Sequence, residues 1–159
     1  MKNEISRKEF SIITEHTARS YFKSAGIDHT YGIASSVCGL LCENISSSDC
    51  NNIGIITMND IGLNKDNFYT LEDVIKTSQD NGYLKITPSD ALAYLIYNSG
   101  YRLNGSVVVM MDEVVDGEGD EGVIFINSDE EGFLHRVGFF KPDKSKKLSI
   151  QAKFLVGKK

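Results

Sequence analysis

Four runs decide the fold: Val107-Val108-Val109-Met110-Met111, Val123-Ile124-Phe125-Ile126, Leu134-His135-Arg136-Val137-Gly138-Phe139-Phe140, and the stretch from Leu148 to Val156. The runs are short and apolar, with many β-branched or aromatic side chains, the composition of strands. Gly- and Asp-rich turns separate them. Connections that short favour antiparallel neighbours, because a parallel pair needs a crossover of roughly a dozen residues or more. The runs predict a C-terminal antiparallel β-meander of about four strands.

Upstream the periodicity changes. Ile53-Gly54-Ile55-Ile56-Thr57-Met58 reads as one short buried strand. Thr70-Leu71-Glu72-Asp73 opens a helix that Asn81-Gly82 stops, and Thr87-Pro88-Ser89-Asp90 opens another that Gly100 ends. Pro88 suits the first helical position, where its missing N–H costs nothing. Leu92, Leu95 and Ile96 are expected to face inward. Nearer the start, Ser6-Arg7-Lys8-Glu9 fits a capping box. Phe10, Ile13, Thr17 and Tyr21 then follow at helical spacing, and Ala25-Gly26 closes that helix. A further helix from about Thr30 to Glu43 carries Ile33, Val37, Leu40 and Leu41 on one stripe and Gly32, Ser36 and Gly39 beside it. Helices first and strands last is the α+β pattern. The expected architecture is N-terminal helices packed on the C-terminal meander, in a single domain over residues 1–159, since 159 residues suit one core.

Charge and composition narrow the function classes. Twenty-two acidic residues outnumber 17 basic ones, for a net charge of −5. That balance argues against a binder of nucleic-acid backbones, which needs a basic face. No apolar run approaches the roughly 18 residues that span a bilayer, and Met1 to Glu9 contain no signal-like apolar core. The three cysteines, Cys38, Cys42 and Cys50, are an odd number in one short stretch, unlike a secreted disulfide scaffold. The expectation is a cytoplasmic protein with no nucleic-acid or membrane partner.

The clearest candidate site is electrostatic. Asp112, Glu113, Asp116, Glu118, Asp120, Glu121, Asp129, Glu130 and Glu131 follow one another with no Lys or Arg between them. Two hairpin ends would then concentrate negative charge, which steers a basic partner and speeds its association. Acidic turns also keep strand edges soluble, the simpler role for such a run. Asp116-Gly117-Glu118-Gly119-Asp120-Glu121-Gly122 spaces oxygen ligands as calcium prefers, but an EF-hand loop needs Gly at its sixth and Glu at its twelfth position. Those positions hold Glu121 and Asn127, so a hairpin turn is expected instead.

Other chemistry has less to stand on. No phosphate-binding glycine loop and no G-x-S-x-G elbow is present, so no cofactor is expected. Cys38-x3-Cys42 brings two thiols to one helix face, and Cys50 with a His would complete a zinc site. Structural zinc usually shows two paired short spacings, so no metal is expected. Val37-Cys38-Gly39-Leu40 together with His135-Arg136-Val137-Gly138-Phe139 resembles the layout of papain-like and NlpC/P60-type cysteine hydrolases, over about ten residues. The resemblance implies a Cys38 nucleophile on a helix and a His135 base on a strand. Against it, Cys38 lies about two turns inside its helix among apolar neighbours, where a thiol behaves as a small hydrophobe. No catalytic residue is therefore assigned. The leading expectation is an acidic protein-binding module, of the bacterial immunity or toxin-inhibitor kind, which neutralises a basic toxin or nuclease domain. A cysteine hydrolase using Cys38 and His135 is the alternative, and an acidic secretion-type chaperone the second.

Overall fold

The computed structural model of the chain describes residues 1–6, 49–64, 67–98, 103–115, 119–128, 130–132, 134–143 and 145–159. Among them the dominant element is a mixed sheet of eight strands. In chain order the strands are β1 (Lys2–Ser6), β2 (Asn52–Thr57), β3 (Tyr83–Leu84), β4 (Ser106–Val109), β5 (Val114–Val115), β6 (Glu121–Ser128), β7 (Leu134–Phe140) and β8 (Lys153–Lys158). A 3-10 turn (Met58–Ile61) follows β2, and helices α1 (Leu71–Asp80) and α2 (Pro88–Tyr97) flank β3. The expected helices between residues 7 and 43, and with them Cys38 and Cys42, lie outside the described residues.

The expected fold class, N-terminal helices on a C-terminal antiparallel meander, is overturned by the strand order β1-β2-β8-β4-β6-β5, with β3 pairing β8 and β7 pairing β6. The last strand does not lie beside β7. It inserts between β2, to which it is antiparallel, and β4, to which it is parallel. Turn length constrains only the strands it joins directly. The segment between β7 and β8 is long enough to carry the chain back across the sheet, and β5 to β7 form the rest of the crossover. Strands also enter early, at β1 and β2, so the sheet spans the sequence instead of closing it.

The register explains why the central strands read as continuous apolar runs. Ile55 pairs with Leu155, and Ile56 with Phe154. Neighbouring residues of a strand point to opposite faces, and each face of this half is covered. Ile53, Ile55, Val107, Val109, Ile124, Ile126 and Leu155 bury against Ala91, Leu92, Tyr94 and Leu95 of α2. Ile56, Met110, Phe154 and Val156 bury against Met58 and Ile61 of the 3-10 turn and Leu71 and Val74 of α1. Burying each such side chain contributes roughly 1.5–3 kcal/mol. Leu92 and Leu95 thus face inward as their spacing predicts; the Ile96 side chain is outside the described set.

Both helices begin as their sequences require. At α1 the Thr70 hydroxyl accepts from the Asp73 backbone N–H at 3.3 Å, and the Asp73 carboxylate accepts from the Thr70 N–H at 2.8 Å. At α2, Thr87 and Asp90 repeat the pattern, with Pro88 in the first turn. Each box satisfies two donors that a helix start leaves orphaned.

Candidate functional site

The upper end of the sheet, where β4 leaves and β6 begins, holds a groove of about 500 Å³. Its floor is apolar: Leu71 and Ile75 from α1, Met111 after β4, Val123 from β6 and Pro142 after β7. Glu72, Asp112, Glu113 and Glu121 line it too, with Lys85 as the one cation among the described residues that line it. Five segments distant in the sequence meet there.

The capping box at Thr70 fixes the start of α1, which places Glu72 in its first turn, where the helix dipole favours a carboxylate. The Ile86 N–H donates to the Met110 carbonyl at 2.8 Å and ties the chain after β3 to the chain after β4. That tie brings Lys85 Nζ to 2.6 Å from Asp112 Oδ1. The Asp112 side chain is still 83% exposed, so the pair is a screened surface contact worth about 0–1 kcal/mol. Glu121 opens β6 opposite Val115 of β5, and its Oε2 lies 3.7 Å from Lys141 Nζ.

Gly122 sets how closely the far wall can approach. A Cβ there would sit 2.3 Å from the Phe140 carbonyl oxygen and 2.7 Å from its carbon. The obstacle is backbone, which cannot swing aside. Only glycine lets the end of β7, with Lys141 and Pro142, close onto the start of β6. A second glycine, Gly138, lies under the Phe125 ring, whose Cζ would be 2.3 Å from an added Cβ. Phe125 also meets Phe140 edge-on at 5.6 Å and carries the Arg136 guanidinium 5.9 Å from its centroid. An aromatic ring covering a cross-strand glycine restores contact that the missing side chain cannot supply.

The acidic segment is thus divided between two places. Asp112, Glu113 and Glu121 gather at the groove, and Asp120 precedes Glu121 on an exposed turn. Glu130 and Glu131 are exposed at the far end of β6. At about 3.3 Å per residue, the strand puts roughly 23 Å between the two groups. Asp116, Glu118 and Asp129 lie outside the described residues. Glu72 and Lys85 were not among the expected site residues; they sit on elements 27 or more positions away from Asp112, and no local pattern connects them to it. The strands on either side of the glycine-rich segment, β5 and β6, pair antiparallel; residues 116–118 between them lie outside the described residues.

The backbone of His135 lies in β7; its proposed partner Cys38 is outside the described residues. Cys50 is buried in the α2-side cluster. Among the described residues no group of three or more His, Cys, Asp or Glu is placed to hold a metal ion, and no helix is long and apolar enough to cross a membrane. Set against protein-family models, curated proteins and solved structures, the chain matches none.

Proposed function

We propose that the protein is a cytoplasmic binding module that neutralises a basic protein, of the immunity or toxin-inhibitor kind, and that the groove at Glu72, Asp112, Glu113 and Glu121 is the centre of its contact surface. One observation carries this reading: among the described residues four carboxylates and one ammonium, that of Lys85, line an apolar floor, with Lys141 reaching Glu121 from outside the lining. That combination suits a lysine or arginine of the partner, whose methylenes lie along Ile75, Met111 and Val123 while its charged head meets the rim. Arginine suits it better, since its planar fork takes a carboxylate through two hydrogen bonds. Asp116, Glu118, Asp120, Asp129, Glu130 and Glu131 add to the negative field of the chain and speed the encounter; of these, Asp120, Glu130 and Glu131 are described and do not line the groove.

The test compares proteins captured at low salt by the wild-type chain and by a variant with Glu72→Gln, Asp112→Asn, Glu113→Gln and Glu121→Gln. The reading expects a basic protein held by the first, lost by the second and released from the first as salt shortens the Debye length. Its expression in bacteria should be toxic, and co-expression of the wild-type chain should relieve the toxicity. A variant that keeps the wild-type melting temperature and captures the same proteins equally well would sink the proposal. A Glu130→Gln, Glu131→Gln variant at the distant end should slow association and leave dissociation unchanged.

A further inference from the structure

The opposite end of the sheet holds a second pocket, of about 790 Å³, within the usual range of roughly 300–1,000 Å³ for small-molecule sites. We propose that this pocket, lined by Lys2, Lys153, Asn59, Asn104, Ser106 and Gln151, binds a small molecule through its phosphate group. The inference does not depend on the acidic groove.

The pocket forms where strand ends converge. Thr57 closes β2 opposite Lys153, which opens β8. Lys153 is also the partner of Val107 on β4, one residue past Ser106. Lys2 enters from β1, which pairs with β2 at Ile55. The chain before β8 folds back on itself, with the Ala152 N–H donating to the Ser149 carbonyl at 2.9 Å and the Gln151 N–H to the Ser149 hydroxyl at 3.3 Å. Val108, Ile150 and Ala152 supply the apolar wall.

Its charge runs against that of the chain. Acidic residues outnumber basic ones in the sequence, yet among the described residues that line this pocket the titratable side chains are Lys2 and Lys153, with no carboxylate in the lining. Lys153 Nζ donates to the carbonyls of Leu103 and Asn104. An ammonium has three donors, so one is left, and neutral carbonyls do not cancel the charge. Burial, and then the charge of Lys2, hold the Lys153 ammonium below the ordinary lysine range. Two cations therefore share a partly desolvated site, and a dianion bound between them offsets both. Asp60 feels the charge of Lys2, but it does not line the pocket, and the Thr57 N–H and hydroxyl hold its carboxylate at 2.7 and 2.8 Å. Glu130 and Glu131 lie at the same end of the sheet and are not part of the lining. The amides of Asn59, Asn104 and Gln151 and the Ser149 hydroxyl add neutral donors. A phosphate, with three acceptor oxygens and up to two charges, uses that set more fully than a carboxylate does.

The experiment titrates the full chain with inorganic phosphate, pyrophosphate and adenosine monophosphate at up to about 10 mM. That is too dilute for the general stabilisation that phosphate salts give when concentrated. Sodium chloride at matched ionic strength is the control. At least one phosphate compound should raise the melting temperature in a concentration-dependent way, as linkage requires of a ligand specific to the native state. The same compound should shift the ε-methylene NMR signals of Lys2 and Lys153 before those of other lysines. Lys2→Gln, on an exposed side chain, should weaken binding about tenfold. Lys153→Met should weaken it further and Lys153→Arg should retain it. If Lys153→Met fails to fold, Lys2→Gln and the two NMR signals decide. The groove variant with four neutralised carboxylates should bind the same compound as tightly as wild type, so the two proposals fail separately. Equal effects of chloride and phosphate, a Lys2→Gln variant of undiminished affinity, or shifts spread evenly over all lysines would each overturn the site. A phosphoserine peptide that binds more tightly than all three small compounds would overturn the small-molecule assignment.

Discussion

Phe154 and Phe139 are the same side chain in two different halves of one sheet. Phe154 belongs to β8, which has β2 on one side, β4 on the other and a packed cluster on each face. It is 0% exposed. Phe139 belongs to β7, which among the described strands pairs with β6 alone, and it stays half-exposed at the margin of the α2-side cluster. Both segments read as apolar runs of similar length. A strand's neighbours decide its burial, and those neighbours are set by the order of strands in space, not by their order in the chain.

The sharpest way to break this contrast is truncation. Phe154→Ala should cost about 3–5 kcal/mol, the range for deleting a buried aromatic from a packed core. Phe139→Ala should cost no more than about half of that, because part of the ring is already hydrated and the cavity opens to water. Denaturant unfolding of the two variants measures both values, and equal losses would mean that β7 is as deeply enclosed as β8.

A smaller effect separates two glycines on the outer strands. Gly122→Ala drives a methyl into the Phe140 backbone and should destabilise the fold by about 1–3 kcal/mol, as overpacking does. It should also part the walls of the acidic groove. Gly138→Ala meets only the end of the Phe125 ring, which can turn away, so its cost should be lower and should come with loss of the Arg136 contact. Thermal melts rank the two; a Gly138→Ala variant less stable than Gly122→Ala would show that the Phe125 ring cannot move.

The smallest effect concerns acid. The Thr70 backbone N–H, then its hydroxyl, hold the Asp73 carboxyl below its ordinary value. For Asp60, burial pushes upward and is outweighed by the Thr57 backbone N–H and hydroxyl. At Asp143, the Ser145 hydroxyl and N–H act in the same direction as at Asp73. A lowered folded value gives stability that is full above the unfolded value, near 3.9, and is lost as pH falls through the folded one. Stability should therefore decline below about pH 4. Asp73→Asn should flatten that decline modestly, as read from melts between pH 2 and pH 6. An Asp73→Asn profile parallel to wild type throughout would show that this cap carries no pH-dependent stability.

The same contrast explains what could be read from the sequence. The starts of α1 and α2 were legible because Thr70-Asp73 and Thr87-Asp90 are local chemistry complete within four residues. The apolar runs marked β2, β4, β6 and β7, since side-chain character alone identifies a buried strand. The run from Leu148 to Val156 was set too early: Leu148, Ile150 and Ala152 pack against the α1-side cluster from a loop, and pairing begins only at Lys153. β1 was hidden because Ile5 is its only buried residue, and because its last residue, Ser6, also fits the start of a capping box whose other residues lie outside the described set. β3 and β5 have two residues each, too few for any periodicity. The parallel pairing of β8 with β4 leaves no periodic trace, because burial on both faces removes the alternation that would mark a register. Asp112, Glu113 and Glu121 were visible as charge, whereas Glu72 and Lys85 join them only through the fold.

The central place of β8 also dictates a timetable for a chain made from its N-terminus. β2 and β4 leave the ribosome well before residues 153–158, and until those residues emerge each has an open edge facing the gap that β8 fills. At roughly 5–20 residues per second, the interval between the end of β4 and the end of β8 lasts about 2–10 s. Throughout that time two apolar strands are available to any other chain with an unpaired edge. The nascent protein is thus open to misassembly through these two edges from the synthesis of β4 until that of β8.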